Sequence, residues 1–245
     1  MSARLTARDY EILQHLLRYQ VATREMFHRA LFAKVSSNAV TKVVTRMVAN
    51  GWLKRHRFLV ASCYFTLSDK AALLFGVPEA AIEQPIPPRR MVALYAVAAY
   101  CCLGEKPRRL LTLEEIQEDY PQLVFDQLDS DRYYLDSGIR PALLGQIVVD
   151  DGTAPRAFLE GCRQDVAARA RRAAVRKLIQ GGGYRLTLLT AIAEKASVLR
   201  SGLKKLEWPE GLRTEVVVIP GLINAVANLG VPSAAPTGSP ARSRA

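Results

Sequence analysis

Val40, Val43, Val44, Met47 and Val48 stand at i, i+3, i+4, i+7 and i+8, a spacing that puts all five on one side of a helix. Ser37, Asn38, Thr41, Lys42, Thr45 and Arg46 fall on the other side: hydroxyls, one amide and two cations, with no large apolar group. Asn50-Gly51 follows at once, and glycine supplies the left-handed residue on which such a helix ends. No other stretch constrains the fold as tightly. This helix has to be one wall of a small core, with a hydrogen-bonding front turned outward.

The flanking segments supply the rest of that core. In "LTARDYEILQHLLRYQ" Thr6 is placed to cap a helix with Asp9 as its acidic partner three residues on, and Ile12, Leu13, Leu16 and Leu17 share one face. "VATREMFHRALF" repeats the plan, with Thr23 as cap and Met26, Phe27, Ala30 and Leu31 buried. After Gly51, "WLKRHRFLV" and "SCYFTLS" read as two strands joined near Ala61, and "DKAALLFG" as a closing helix. Three helices, a hairpin and a helix over residues 1–76 spell a winged helix-turn-helix. A helix of this kind suits the major groove of duplex DNA, where short polar side chains meet base edges and cations meet phosphates. The expected contacts are Ser37, Asn38, Thr41, Lys42, Thr45 and Arg46, with Lys54, Arg55, His56 and Arg57 of the hairpin beside the backbone. Strand side chains alternate, so Lys54 and His56 point one way, Arg55 and Arg57 the other, and one pair alone should touch DNA.

The charge distribution agrees with a polyanionic partner. The 245 residues carry a net charge of +11, and residues 1–76 hold 12 Lys/Arg against 4 Asp/Glu. Residues 105–138 are acidic, and residues 139–205 form a second basic block. With 49% apolar residues the chain can bury a sizeable core. No apolar run approaches the roughly 20 residues that span a bilayer, and the N-terminal residues lack the pattern of a signal peptide. A soluble, cytoplasmic protein is expected, without cofactor or metal: His15, His28 and His56 are isolated, and Cys63, Cys101, Cys102 and Cys162 have no ligand spacing and read as core residues.

Residues 77–90 hold four of the 13 prolines and read as a stiff linker; residues 231–245, small and Pro/Ser-rich, read as a disordered tail. Between them, residues 91–230 alternate helices with short strand-like runs, an α/β domain that makes the whole chain α+β. One long helix is expected from Pro155 to Gln180, carrying Arg163, Arg169, Arg171, Arg172, Arg176 and Lys177 outward. That face is either simply solvated or a second DNA-contacting surface. The Asp150-Asp151-Gly152-Thr153 turn precedes it, with Thr153 as cap and Pro155 in the first turn. The triple glycine of "QGGGYR" reads as a helix stop.

The arrangement resembles the replication-relaxation family of plasmids and other bacterial mobile elements, through "LTARDYEILQHLLRY", "VATREMFHRALF", "AVTKVVTRMVANGWLKR", "YFTLSDKAALLFG" and, more loosely, "DSGIRPALLGQIVVDDGT". The resemblance implies a DNA-binding protein linked to plasmid replication, relaxation or transfer, with a second domain similar to a PD-(D/E)xK, restriction-endonuclease-like core. Such a nuclease needs converging carboxylates on a divalent metal and a nearby lysine. Asp136, Asp150 and Asp151 are the candidate acids, but Val148 or Val149 stands where the family's glutamate belongs and no lysine follows in the strand. A catalytically silent domain is therefore expected. The function expected is sequence-specific binding of double-stranded DNA, as a transcriptional regulator or an accessory protein of replication or conjugative transfer, with a metal-dependent nuclease as the enzyme alternative. A homodimer is expected from half-site recognition, along with possible further proteins of the element. The apolar helix Met91–Cys102 is either the pairing face or interior.

Overall fold

The computed structural model describes residues 4–57, 63–77, 86–106, 108–124, 132–138 and 142–223. The expected turn at Ala61, most of the 77–90 segment and the 231–245 tail lie outside these residues.

Helices α1 (Ala7–Tyr19), α2 (Arg24–Leu31) and α3 (Ser37–Ala49) lead into an antiparallel hairpin, β1 (Leu53–Arg57) and β2 (Cys63–Leu67), and a short helix α4 (Asp69–Leu74). The caps explain where the helices start. Thr6 and Asp9 form the reciprocal box at α1, Thr23 accepts from the Met26 amide at α2, and Ser36 accepts from the Ala39 amide at α3. Gly51 has φ 71°, the left-handed stop expected after α3. A bridge outside the hairpin ties the α1–α2 connection to β2: the Ala22 amide donates to the Phe65 carbonyl at 3.1 Å, and the Phe65 amide to that of Ala22 at 2.8 Å. At the end of α1, Gln20 holds a positive φ of 61° between Tyr19 and Val21, whose carbonyl and amide close a three-residue turn at 2.7 Å. A non-glycine residue there costs energy.

Helix α5 (Pro88–Leu103) begins inside the expected linker, with Pro88 at its first turn. Every residue from Met91 to Cys102 except Ala93 is buried, between α1 and α2 on one side and a five-stranded sheet on the other. The pairing face anticipated on this helix is therefore interior. An all-round apolar surface is what a helix between two layers requires.

The sheet has the order β3-β4-β5-β6-β7, from β3 (Arg108–Leu110), β4 (Tyr133–Asp136), β5 (Leu143–Val149), β6 (Tyr184–Thr190) and β7 (Arg213–Val218). The first three strands are antiparallel, the last three parallel. Helix α6 (Leu113–Asp119) follows β3, α7 (Pro155–Ala170) and α8 (Ala173–Gln180) connect β5 to β6, and α9 (Ala193–Leu203) connects β6 to β7. Side-chain alternation divides the sheet between two cores. Tyr134, Ile147 and Leu189 face α5 and the N-terminal body, whereas Tyr133, Leu144, Leu186, Leu188 and Val216 face α7, α8 and α9.

The helix expected from Pro155 to Gln180 is two helices, broken at Arg171–Arg172, where Arg172 takes an extended ψ of 126°. Val175 lies nine residues after Val166, half a turn out of phase at about 100° per residue, so an unbroken helix would bury one and expose the other. The break resets the phase, and both are buried. Thr153 does not cap α7: Ala154 occupies that position without a side-chain hydrogen bond, and the amide and hydroxyl of Thr153 donate to Asp151 instead.

Candidate nucleic-acid interface

The back of α3 is sealed by Val40, Val44 and Met47, each at most 2% exposed. Its front carries exposed Ser37, Asn38, Lys42, Thr45 and Arg46, with Thr41 partly covered. The Thr41 hydroxyl donates to the Ser37 carbonyl one turn back at 3.1 Å, which turns its oxygen toward the helix. Arg46 is not a free cation: its guanidinium pairs with Asp9, the nearly buried acid of the α1 capping box. That contact locks α3 to α1 and leaves Lys42 as the outward cation of the helix without a carboxylate partner among the described residues.

The hairpin divides as its register demands. Lys54 donates to Asp69 at 2.9 and 3.0 Å. His56 Nε2 lies 2.9 Å from the Thr66 hydroxyl, and its ring stacks on Tyr64 at 4.8 Å. Burial, then the charge of Lys54, pushes the His56 pKa down, so the ring is neutral at physiological pH and adds no positive charge. Arg55 and Arg57 are exposed. They occupy the strand face shared with Leu53 and the partner residue Phe65, the face that packs in the N-terminal core. Of the two expected pairs, Arg55 and Arg57 are the one left available.

The N-terminal body is clamped to the sheet. Arg18 of α1 donates to Glu115 through two nitrogens, at 2.6 and 2.9 Å, and to the Leu110 carbonyl at 2.5 Å. Glu115 also accepts the Thr112 amide that starts α6, and pairs with Arg109. The Arg18 hydrogen bonds hold the Glu115 carboxyl down at about 2. A cleft of about 1190 Å³ opens at this joint, lined by α1, α2, the end of α5 and β3, with no residue of α3 in its lining.

The three candidate acids do not converge. Asp136 ends β4 opposite Leu143, at the start of β5, while Asp150 follows the far end of that strand, seven residues or about 23 Å along it. Asp136 is fully buried and accepts from Arg185 at 3.0 Å and from the Gly138 amide. Around it Tyr134, Tyr100, Thr187 and Glu215 complete a hydrogen-bonded cluster under α5. Asp150 accepts from Lys195 at 2.6 Å and from the Thr190 hydroxyl at 3.0 Å. Asp151, whose carboxyl is held below its ordinary range by the Thr153 hydroxyl and amide, stays exposed. Lys195 supplies a lysine that the strand lacks, from the first turn of α9, 45 residues away in sequence; no local spacing announces it. Among the described residues no three His, Cys, Asp or Glu side chains are grouped for a metal, and no helix is long and apolar enough to cross a membrane.

No protein-family model matches this chain, and neither a search of curated proteins nor one of solved structures finds a match.

Proposed function

We propose that this chain is a sequence-specific double-stranded DNA-binding protein whose first 76 residues work as a winged helix-turn-helix, α3 being the reading helix. The observation that carries the reading is the division of α3: a sealed apolar back, and a front on which Ser37, Asn38, Lys42 and Thr45 stand exposed, followed by a hairpin on which Arg55 and Arg57 are exposed. Short donors and acceptors suit base edges, and cations suit phosphates. The bridge between Ala22 and Phe65, which anchors the hairpin beside α2, supports the same architecture. Of the biological roles open to such a protein, we favour a transcriptional regulator of a bacterial mobile element, with an accessory factor in replication or conjugative transfer as the alternative, in keeping with the resemblance described above.

The test is a binding titration over a range of salt on duplexes that the chain selects from a randomised library. Lys42→Ala should weaken binding and flatten the plot of log K against log salt by about 0.9, the contribution of one phosphate contact. Arg46→Ala should act largely through the loss of its contact with Asp9, so Arg46→Lys should restore part of the affinity. Affinity and slope unchanged in Lys42→Ala together with Arg55→Ala and Arg57→Ala would remove α3 and the hairpin from the interface.

A metal-dependent nuclease is the second reading, and the contact between Asp150 and Lys195 is what favours it. Mg²⁺- or Mn²⁺-dependent cleavage of plasmid DNA that Asp150→Ala abolishes would establish that reading.

A further inference from the structure

We propose that α8 and the Arg171–Arg172 corner before it form a second surface for the phosphate backbone of duplex DNA, so that one chain holds two DNA segments. The partner class rests on the duplex-binding reading of α3; the surface itself is a separate observation. Between Asp165 and Glu194 the sequence contains no carboxylate and six cations, Arg169, Arg171, Arg172, Arg176, Lys177 and Arg185. Arg169 and Arg185 turn inward, onto Asp165 and Asp136. The other four are exposed within seven positions.

Arg171, Arg176 and Lys177 differ in their surroundings from Arg163, Arg169 and Lys195 of the same layer. On α7, Arg163 has Glu160 at 2.7 Å and Arg169 has Asp165 at 2.9 Å; on α9, Lys195 has Asp150. Arg176 donates only to the Arg171 carbonyl, and neither Arg171 nor Lys177 meets a carboxylate among the described residues. The arrangement opposes the stability of α8. Arg172 and Arg176 are like charges one turn apart, and Arg172 stands at the start of α8, where the backbone dipole disfavours a cation, while Arg171 caps the end of α7, where the dipole favours one. Like charges kept where they destabilise, on a helix whose buried side needs only Val175 and Ile179, indicate an external anion. A row of phosphates is the anion that four cations over two helical turns fit.

Position in the fold decides how many duplexes are involved. Val175 and Ile179 pack in the core with Leu186 and Leu188, whereas Val40, Val44 and Met47 belong to the core on the other side of the sheet. The sheet, α5 and the N-terminal body all stand between the two basic faces. The two basic faces thus belong to opposite sides of the sheet, and a separate duplex at α8 is what the proposal requires.

The experiment is a capture assay with the full chain. A duplex of about 30 base pairs selected by the chain is fixed to beads, the chain is bound to it, and retention of an unrelated fluorescent duplex of the same length is measured. Wild type should retain the second duplex. The triple variant Arg171→Gln, Arg176→Gln, Lys177→Gln should bind the first duplex normally but retain at least about tenfold less of the second, since three phosphate contacts are removed. The control Lys204→Gln with Lys205→Gln, which removes exposed charge from the end of α9, should behave as wild type. Failure of wild type to retain the second duplex, equal retention by the triple variant, or an equal loss in the control would each overturn the proposal while leaving α3 untouched. Normal first-duplex binding by Lys42→Ala together with lost capture in the triple variant would overturn the reading of α3 and leave α8 as a DNA surface.

Discussion

His15 should make the N-terminal body acid-sensitive well above the range in which its carboxylates titrate. The ring is 7% exposed, 4.6 Å from Tyr19 and 5.5 Å from Phe27, with Cys102 of α5 at 3.9 Å. Burial first, and the charge of Arg18 second, push its pKa from 6.5 down to about 4. The fold thus favours the neutral ring. The unfolded chain takes up a proton below about 6.5 that the folded chain refuses until about 4, so this stability is intact above the first value and is lost as the pH falls toward the second. Integrated from about pH 7.5 to about pH 5, the difference in bound protons amounts to a loss of about 2 kcal/mol. The Glu115 carboxyl, held at about 2 by Arg18, titrates below that window. Urea unfolding followed by tryptophan fluorescence, from Trp52 in the same core and Trp208 against the other, should therefore give a midpoint that drops between the two pH values in wild type. In His15→Leu the drop should shrink by about that amount, whatever the stability of the variant at neutral pH, leaving the smaller part that His56, whose pKa burial also lowers, contributes in the same direction. Equal losses in the two proteins would refute the assignment of a buried, neutral imidazole.

Three further outcomes follow from the packing. Arg18→Met and Glu115→Gln each break the clamp between α1 and α6, and a double-mutant cycle of unfolding free energies should return a coupling of about 1.5–3 kcal/mol; additive effects would deny the contact. Because the Glu115 pKa lies below its ordinary value, that coupling should persist above about pH 4.5 and fade as the pH falls toward 2. A Cβ on Gly145 would lie 1.9 Å from the ring of Tyr134, itself fully buried and bonded to Tyr100 and Thr187, so Gly145→Ala should cost about 3 kcal/mol or more in thermal or urea unfolding, and a neutral result would mean that Tyr134 has another place to go.

The parts of this molecule legible in its sequence are those set by neighbours within a turn or two. The apolar stripe of α3, its glycine stop, the boxes at Thr6 and Thr112 and the short strand-like runs of β5 and β6 all depend on local sequence, and all are present. Even the break between α7 and α8 is written in the half-turn phase error between Val166 and Val175, although a reading that counts cations along one continuous helix passes over it. Strand β3 is three residues in a charged stretch and gives no periodic signal; its place depends on pairing with β4.

What local spacing cannot supply is the partner of a charge. Arg46 and Lys42 look alike on the front of α3, yet Asp9, 37 residues earlier, claims one and leaves the other. Lys54 and Arg55 are adjacent, and Asp69 divides them in the same way. Lys195 reaches Asp150 across 45 residues, and Asp136, one of a set of three candidate acids in the sequence, sits at the opposite end of the strand from the other two. Each case turns on the ends of long side chains, which are positioned by tertiary packing rather than by periodicity. The front of α3 is thus a smaller electrostatic surface than its composition implies. On the proposed DNA-binding reading, Lys42, Arg55 and Arg57 would carry the non-specific attraction, and Ser37, Asn38 and Thr45 would be left to discriminate among base pairs. Substituting those three should relax sequence preference with little change in salt dependence, the opposite of what the cations do.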